Sequence, residues 1–139
     1  MPNQLQEKTV LAFDFGLRRI GVAIGQTITK DARPLTVLQV TDGIPKWEEI
    51  ESLISTWCVT QLVVGLPFNV DGTEQEITLA ARKFSRRLHA KFHLPVALID
   101  ERYTTKAAKS SSAYQSNKNP AIDSHAAVII LDSWFRENT

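Results

Sequence analysis

The sequence predicts an α/β fold in which a five-stranded mixed sheet, in the order 3-2-1-4-5, is flanked by helices. Three observations lead there. Residues 10–15 and 20–25 are apolar, β-branched runs framed by Gly16 and Gly21, the pattern of a hairpin. Beyond residue 45 the apolar period switches between helix and strand twice, as in strands joined by helical crossovers. Residues 61–66 are almost wholly apolar, which suits a parallel strand covered on both faces.

Taken in order, the first two strands are followed by a third at residues 35–40 and a turn at Thr41-Asp42-Gly43. Apolar residues at 47, 50, 53, 54 and 57 then have the spacing of an amphipathic helix, the first crossover. The fourth strand, 61–66, stops at Pro67, and Thr73 and Glu76 have the spacing of a capping box for a second helix with its stripe at 77, 80, 81, 84 and 88. Residues 95–99 form the fifth strand. A short helix is predicted at 104–112, a mobile loop at 110–119, and a last helix at 120–135, with Asn119 as N-cap and Pro120 in the first turn. The right-handed crossover rule sets strand four beside strand one, so the carboxyl ends of strands one, four and five share an edge.

The 139 residues suit a single domain, residues 1–139, able to bury a proper core without disulfide or structural metal. Residues 1–8 are polar, read as a disordered start, and lack the apolar segment of a signal peptide. Cys58 has no partner for an internal disulfide, and no apolar run approaches a membrane span of about 20 residues. These features predict a cytoplasmic protein without membrane partners. The net charge of +1 conceals an asymmetry, because residues 82–118 hold nine Lys or Arg and two acids. That segment either faces a polyanion or forms ordinary solvated helix faces.

Asp14 is the first anomaly: an acid that closes an apolar strand needs a cation or a partner. Asp123 is the second. With Ala126, Ala127, Ile130 and Trp134 it heads the stripe of the last helix that should pack on the sheet, unless the helix starts later and Asp123 merely caps it or pairs with an Arg. The third acid comes from Asp100-Glu101, adjacent residues that point to opposite faces, so the pattern leaves open which of them meets Asp14. Three converging carboxylates repel and raise one another's pKa values, a conflict that a divalent ion removes. Mg²⁺ or Mn²⁺ ions at such a site suit phosphodiester cleavage, two of them roughly 3.5 to 4 Å apart activating a water and stabilising the leaving oxygen.

Four motifs in order, Phe13-Asp14-Phe15-Gly16 with Arg19-Ile20-Gly21-Val22-Ala23, Val64-Gly65-Leu66-Pro67 with Asp71-Gly72-Thr73-Glu74-Gln75, Asp100-Glu101-Arg102, and Ile122-Asp123-Ser124 with Ala126-Ala127, make the chain similar to the YqgF/RuvX family. The resemblance runs from about residue 10 to 135. It implies a ribonuclease H-like fold related to the RuvC Holliday-junction resolvases, and an enzyme that matures the 5′ end of 16S rRNA. It also implies that Asp14, Glu101 and Asp123 are catalytic and hold the metal, which selects Glu101 over Asp100. The RuvC resolvases take their second acid from the end of the fourth strand, whereas this chain has Gly65-Leu66-Pro67 there. Where the family often has Lys or Arg two residues before the last acid, this chain has Ala121, and Lys118 is the nearest substitute.

Arg18 and Arg19, beside Asp14, are the first candidates for phosphate contacts, followed by Asn69 in the loop after strand four, Arg102 and Lys118. Arg102 serves equally well to neutralise the acids, and Arg82, Lys83, Arg86 and Arg87 either track a nucleic-acid backbone or form a solvated face. His89 and His93 have the spacing of a zinc pair but lack a third ligand, which favours a surface pair; His125 reads as exposed. Trp47, Trp57 and Trp134 read as core. The leading function is a metal-dependent endonuclease on structured RNA, with ribosomal or processing factors as partners. The alternatives are a DNA-junction resolvase and a noncatalytic RNA- or ribosome-binding module; a phosphotransferase would need a second domain to close over the nucleotide.

Overall fold

The computed structural model describes residues 7–102 and 120–138, and side chains for 7–102 and 125–138. The expected helix at 104–112, the loop at 110–119, Lys118 and the Asn119 cap lie outside the described residues. Among the described residues, three consecutive strands, β1 (Thr9–Asp14), β2 (Arg19–Gln26) and β3 (Arg33–Gln39), are followed by α1 (Trp47–Trp57), β4 (Gln61–Leu66), α2 (Glu76–Phe92), β5 (Val96–Asp100) and α3 (Pro120–Glu137). The sheet has the expected order, β3-β2-β1-β4-β5. Strands β1, β2 and β3 run antiparallel, and β4 and β5 extend the sheet in parallel from β1.

Strand parity sorts the core into two layers, because successive residues point to opposite faces. Leu11, Phe13, Leu62, Val64 and Leu66 join Ile50 of α1 and Ala81, Phe84 and Leu88 of α2 on one face. On the other face, Val10, Ala12, Val63 and Ile99 meet Ala127, Ile130, Leu131, Trp134 and Phe135 of α3. Residues continuing the second set at the strand ends, Asp14, Gly65 and Glu101, therefore belong to the α3 side. The central strands β1, β2 and β4 are buried almost throughout, as their apolar runs require.

Several local expectations change. Lys8 belongs to the folded body, its amide donating to Thr27 Oγ1 at 2.9 Å and its carbonyl accepting from Thr27 N at 3.0 Å. The capping box of α2 is Gln75 with Thr78, not Thr73 with Glu76. Thr73 is already committed to the preceding turn, where its hydroxyl donates to Asp71 Oδ1 at 2.7 Å and accepts from the Asn69 amide at 2.9 Å. Trp57 is 41% exposed, because α1 ends there and the left-handed Cys58 turns the chain away. Trp47 and Trp134 do pack inward.

Phe84 holds the α1–α2 layer together. Its ring meets Phe13 edge-on at 5.5 Å, Phe15 at 5.2 Å and the Trp47 ring at 6.0 Å. Truncation leaves a cavity among rings that cannot collapse. Phe84→Ala is expected to lower unfolding free energy by about 3 to 5 kcal/mol in denaturant titration; a loss below about 1 kcal/mol would show that this layer is loosely packed.

Candidate active site

The site begins where β1 stops. Asp14 is the last residue of the strand, paired with Gly21 of β2, and the turn between them is made tight by Gly16, whose added Cβ would come within 2.5 Å of Arg19 O. The next loop braces this turn, with Gly43 N donating to Leu17 O and Val40 N to Arg18 O, both at 2.9 Å. Asp14, Gly16, Arg18, Arg19 and Ile77 line a cleft of about 460 Å³. Two arginines thus stand beside the carboxylate at an open strand end.

Glu101 follows β5 and is only 8% exposed. Its side chain hydrogen-bonds Asp14, and its pKa is pushed up to about 9, first by burial and then by the Asp14 charge, that hydrogen bond and the Asp100 charge. At neutral pH, Glu101 therefore keeps its proton and donates it to Asp14. The alternative left open by the strand pattern is settled by parity: Glu101 lies on the face of Asp14, and Asp100 does not. Asp123 sits in the first turns of α3, four residues before Ala127 and seven before Ile130; its side chain lies outside the described residues.

Asp100 has a separate partner. Arg102 donates to it from its backbone N at 2.9 Å, from Nε at 3.0 Å and from Nη2 at 2.7 Å. These hydrogen bonds, chiefly the side-chain ones, hold the Asp100 carboxyl below its usual range against the opposing effect of burial. The Arg102 guanidinium also lies 5.6 Å from the Phe68 ring centroid and against Gly72, where a Cβ would approach Nη1 to 2.8 Å. Of the two uses read for Arg102, the structure displays neutralisation, extended into a brace for the loop after β4.

That loop is closed from within. Asn69 N donates to Thr73 O and Gly72 N to Asn69 O, both at 2.9 Å, and the Thr78 hydroxyl donates to Pro67 O. Asn69 stands on the exposed turn, its side-chain nitrogen taken by Thr73. Thr73 also holds the Asp71 carboxyl low by hydrogen bonding. Arg82 pairs with Glu74 at 2.9 Å and lies 5.8 Å from the Phe68 centroid, so one member of the basic α2 face has a structural use. Sequence reading missed Phe68 and Gly72 as the seat of Arg102; the signal available was Gly72 in an Asp-Gly turn, where φ is +91°.

The histidine pair His89 and His93 lies at the end of α2. His89 Nδ1 lies 3.0 Å from Leu94 O, and His93 is the left-handed C-cap of α2, so the pair serves the helix end. His125 is half-buried on α3, against the exposed placement expected. Among the described residues, no group of three or more His, Cys, Asp or Glu gathers as a metal site, and no helix is long and apolar enough to cross a membrane.

A mixed sheet of this order, with two carboxyls meeting at its carboxyl edge beside an arginine-lined cleft, defines a ribonuclease H-like fold. The fold is shared with Thermus thermophilus RuvC in complex with a Holliday junction substrate, at a TM-score of 0.56 over 94% of this chain and 95% of that one, with 15% identity. A second structure of that RuvC has a TM-score of 0.55 over the same shares at 14% identity. The chain belongs to the RuvX (YqgF) family, described as "Holliday junction resolvase", whose pattern matches residues 8–137. A relative from Coxiella burnetii is 50% identical over 139 residues, covering 99% of this chain and 97% of its own. One from Haemophilus ducreyi is 52% identical over 134 residues, covering 94% and 97%. Both carry the name "Putative pre-16S rRNA nuclease". The protein is a nuclease, a phosphodiester hydrolase.

Proton uptake by Glu101 ties stability to pH. Below about 4.5, its ordinary value, both folded and unfolded chains are protonated; between there and about 9 only the folded chain keeps the proton. A raised carboxyl pKa thus makes this group's contribution to stability fall as pH rises across that window. Glu101→Gln, which cannot ionise, is expected to melt higher than wild type at neutral pH, by a margin that grows from pH 5 to pH 9. A margin independent of pH would contradict the placement of the proton.

Proposed function

We propose that the protein is a divalent-metal-dependent endonuclease that acts on structured RNA in the 5′-end maturation of pre-16S rRNA in the cytoplasm. The observation that carries this reading is the hydrogen-bonded contact between the carboxyls of Asp14 and buried Glu101. A proton relieves that crowding, and so does a hard cation, for which an all-oxygen donor set is suited; Mg²⁺ or Mn²⁺ fits these residues. Asp14 and Glu101 would hold the ion, with Asp123 at the start of α3 as the third carboxylate. Bound there, the ion supplies Lewis acidity toward a phosphate oxygen.

The chain's own groups divide the remaining tasks. Arg18 and Arg19 bind the phosphates beside the scissile bond from the cleft they line with Asp14. Glu101, once it gives up its proton, orients the attacking water through its carboxylate. Asn69 on the turn beyond β4 and Lys118 contribute outlying substrate contacts. Arg102 acts from behind, bracing that turn against Asp100. The RNA substrate is supported by the names of relatives about half identical to this chain, and it makes the ribosome or its processing factors the natural partners.

A second reading keeps the chemistry and exchanges the substrate for a four-way DNA junction. The family description and the RuvC-like fold favour it. Side-by-side cleavage of precursor rRNA and a four-way junction distinguishes the two: cleavage of the precursor is expected, and cleavage of the junction alone would overturn the RNA reading. Asp14→Asn is expected to lose at least about a hundredfold in cleavage rate with its fold intact, since changes one step removed from a metal already lose 10- to 100-fold. Wild-type rates from that variant would sink the acid site.

Replacing Arg18 and Arg19 together should act on binding. Without these two cations, the slope of log affinity against log salt should flatten by about 1.5, and KM should rise by a larger factor than kcat falls. An unchanged salt slope would place the phosphates elsewhere.

A further inference from the structure

We propose that Gly65 is a positioning residue of the active site, the gap in β4 through which Glu101 reaches Asp14. The inference rests on the reading of Asp14 and Glu101 as the working acid pair. Their strands are not neighbours, because β4 lies between β1 and β5. With adjacent strands about 4.8 Å apart, the two backbones run roughly 10 Å from one another. Carboxyls standing upright on those strands would not touch. For them to meet, a side chain must lie down across β4.

The register places Gly65 under that path. Phe13 pairs with Val64, so Asp14 and Gly65 are each one step beyond that pair, and Gly65 pairs with Ile99, two residues before Glu101. All three positions belong to the sheet face covered by α3. A Cβ on Gly65 would stand 2.9 Å from both Cγ and Cδ of Glu101, closer than real Cβ contacts allow. It would also meet Cδ1 of Ile130 at 2.5 Å. The backbone at Gly65 is ordinary extended strand, so its absent side chain matters for space and not for conformation.

Two roles are entangled here, since the same gap admits Ile130 from α3. Shortening Ile130 separates them, because valine lacks Cδ1. Cleavage kinetics on whichever substrate the wild type cuts, with melting temperatures, should be compared for G65A, I130V, the double variant G65A/I130V, and D14N as reference. I130V is expected to stay within about threefold of wild type in kcat, as a change that only trims packing. The double variant is expected to regain the melting temperature of I130V while its kcat stays down by about thirtyfold or more at little-changed KM, the size of loss seen when a supporting group is removed. Its crystal structure should show the Glu101 carboxyl out of hydrogen-bonding reach of Asp14.

A double variant that cleaves within about threefold of I130V, or that keeps the Glu101–Asp14 contact in its crystal structure, overturns the role of Gly65 and leaves it as a packing glycine. Normal cleavage by D14N would instead remove the acid-pair reading itself. The two failures are therefore distinguishable.

Discussion

The hydrogen bond between Glu101 and Asp14 is the constraint around which the rest of the structure is arranged. Two carboxyls from strands held apart by β4 can meet only if both lie on the α3 face of the sheet and a side chain crosses β4 between them. A buried carboxylate without a partner is costly, and two together are worse, so a neutral residue at either position would suit folding better. What makes the pair tolerable is one shared proton. A group held at odds with stability in this way is what the proposed acid site rests on.

The neighbouring acid shows how local the effect is. Asp100 and Glu101 are consecutive, yet their carboxyls are driven in opposite directions, one down by hydrogen bonds from Arg102 and the other up by burial against Asp14. The end of β5 does this, with Asp100 its last residue and Glu101 the first beyond it, directed to Asp14. Adjacent acids with divergent pKa values are the arrangement by which enzymes assign different tasks to the same residue type. Here Asp100 joins Arg102 and Phe68 in bracing the turn after β4, and Glu101 meets Asp14 instead.

The sheet was legible because apolar, β-branched runs separated by glycines leave few alternatives, and the crossover rule then orders the strands. Asp14 stood out for the same reason, as an acid where the pattern calls for an apolar residue. The choice between Asp100 and Glu101 was not legible without the resemblance, since it depends on register, which is set by long-range pairing such as Gly65 with Ile99. The capping box of α2 was misplaced because Thr73 satisfies both the helix pattern and the turn, and the turn holds its hydroxyl. Trp57 has core spacing but falls in the last turn of α1, beyond what the sheet covers. Spacing along one helix cannot show where its neighbour ends. The neighbours of Arg102, Phe68 and Gly72, lie thirty or more residues away along the chain, so its place in the brace was not readable from the sequence.

The state of the acid pair can be observed without substrate. Infrared difference spectra between wild type and E101Q at pH 7 report directly whether a protonated carboxyl is present. A protonated carboxylic acid stretch in the wild type, absent from the variant, is the expected result. Carboxylate bands alone in that difference would show Glu101 ionised and contradict the shared proton on which the site is built.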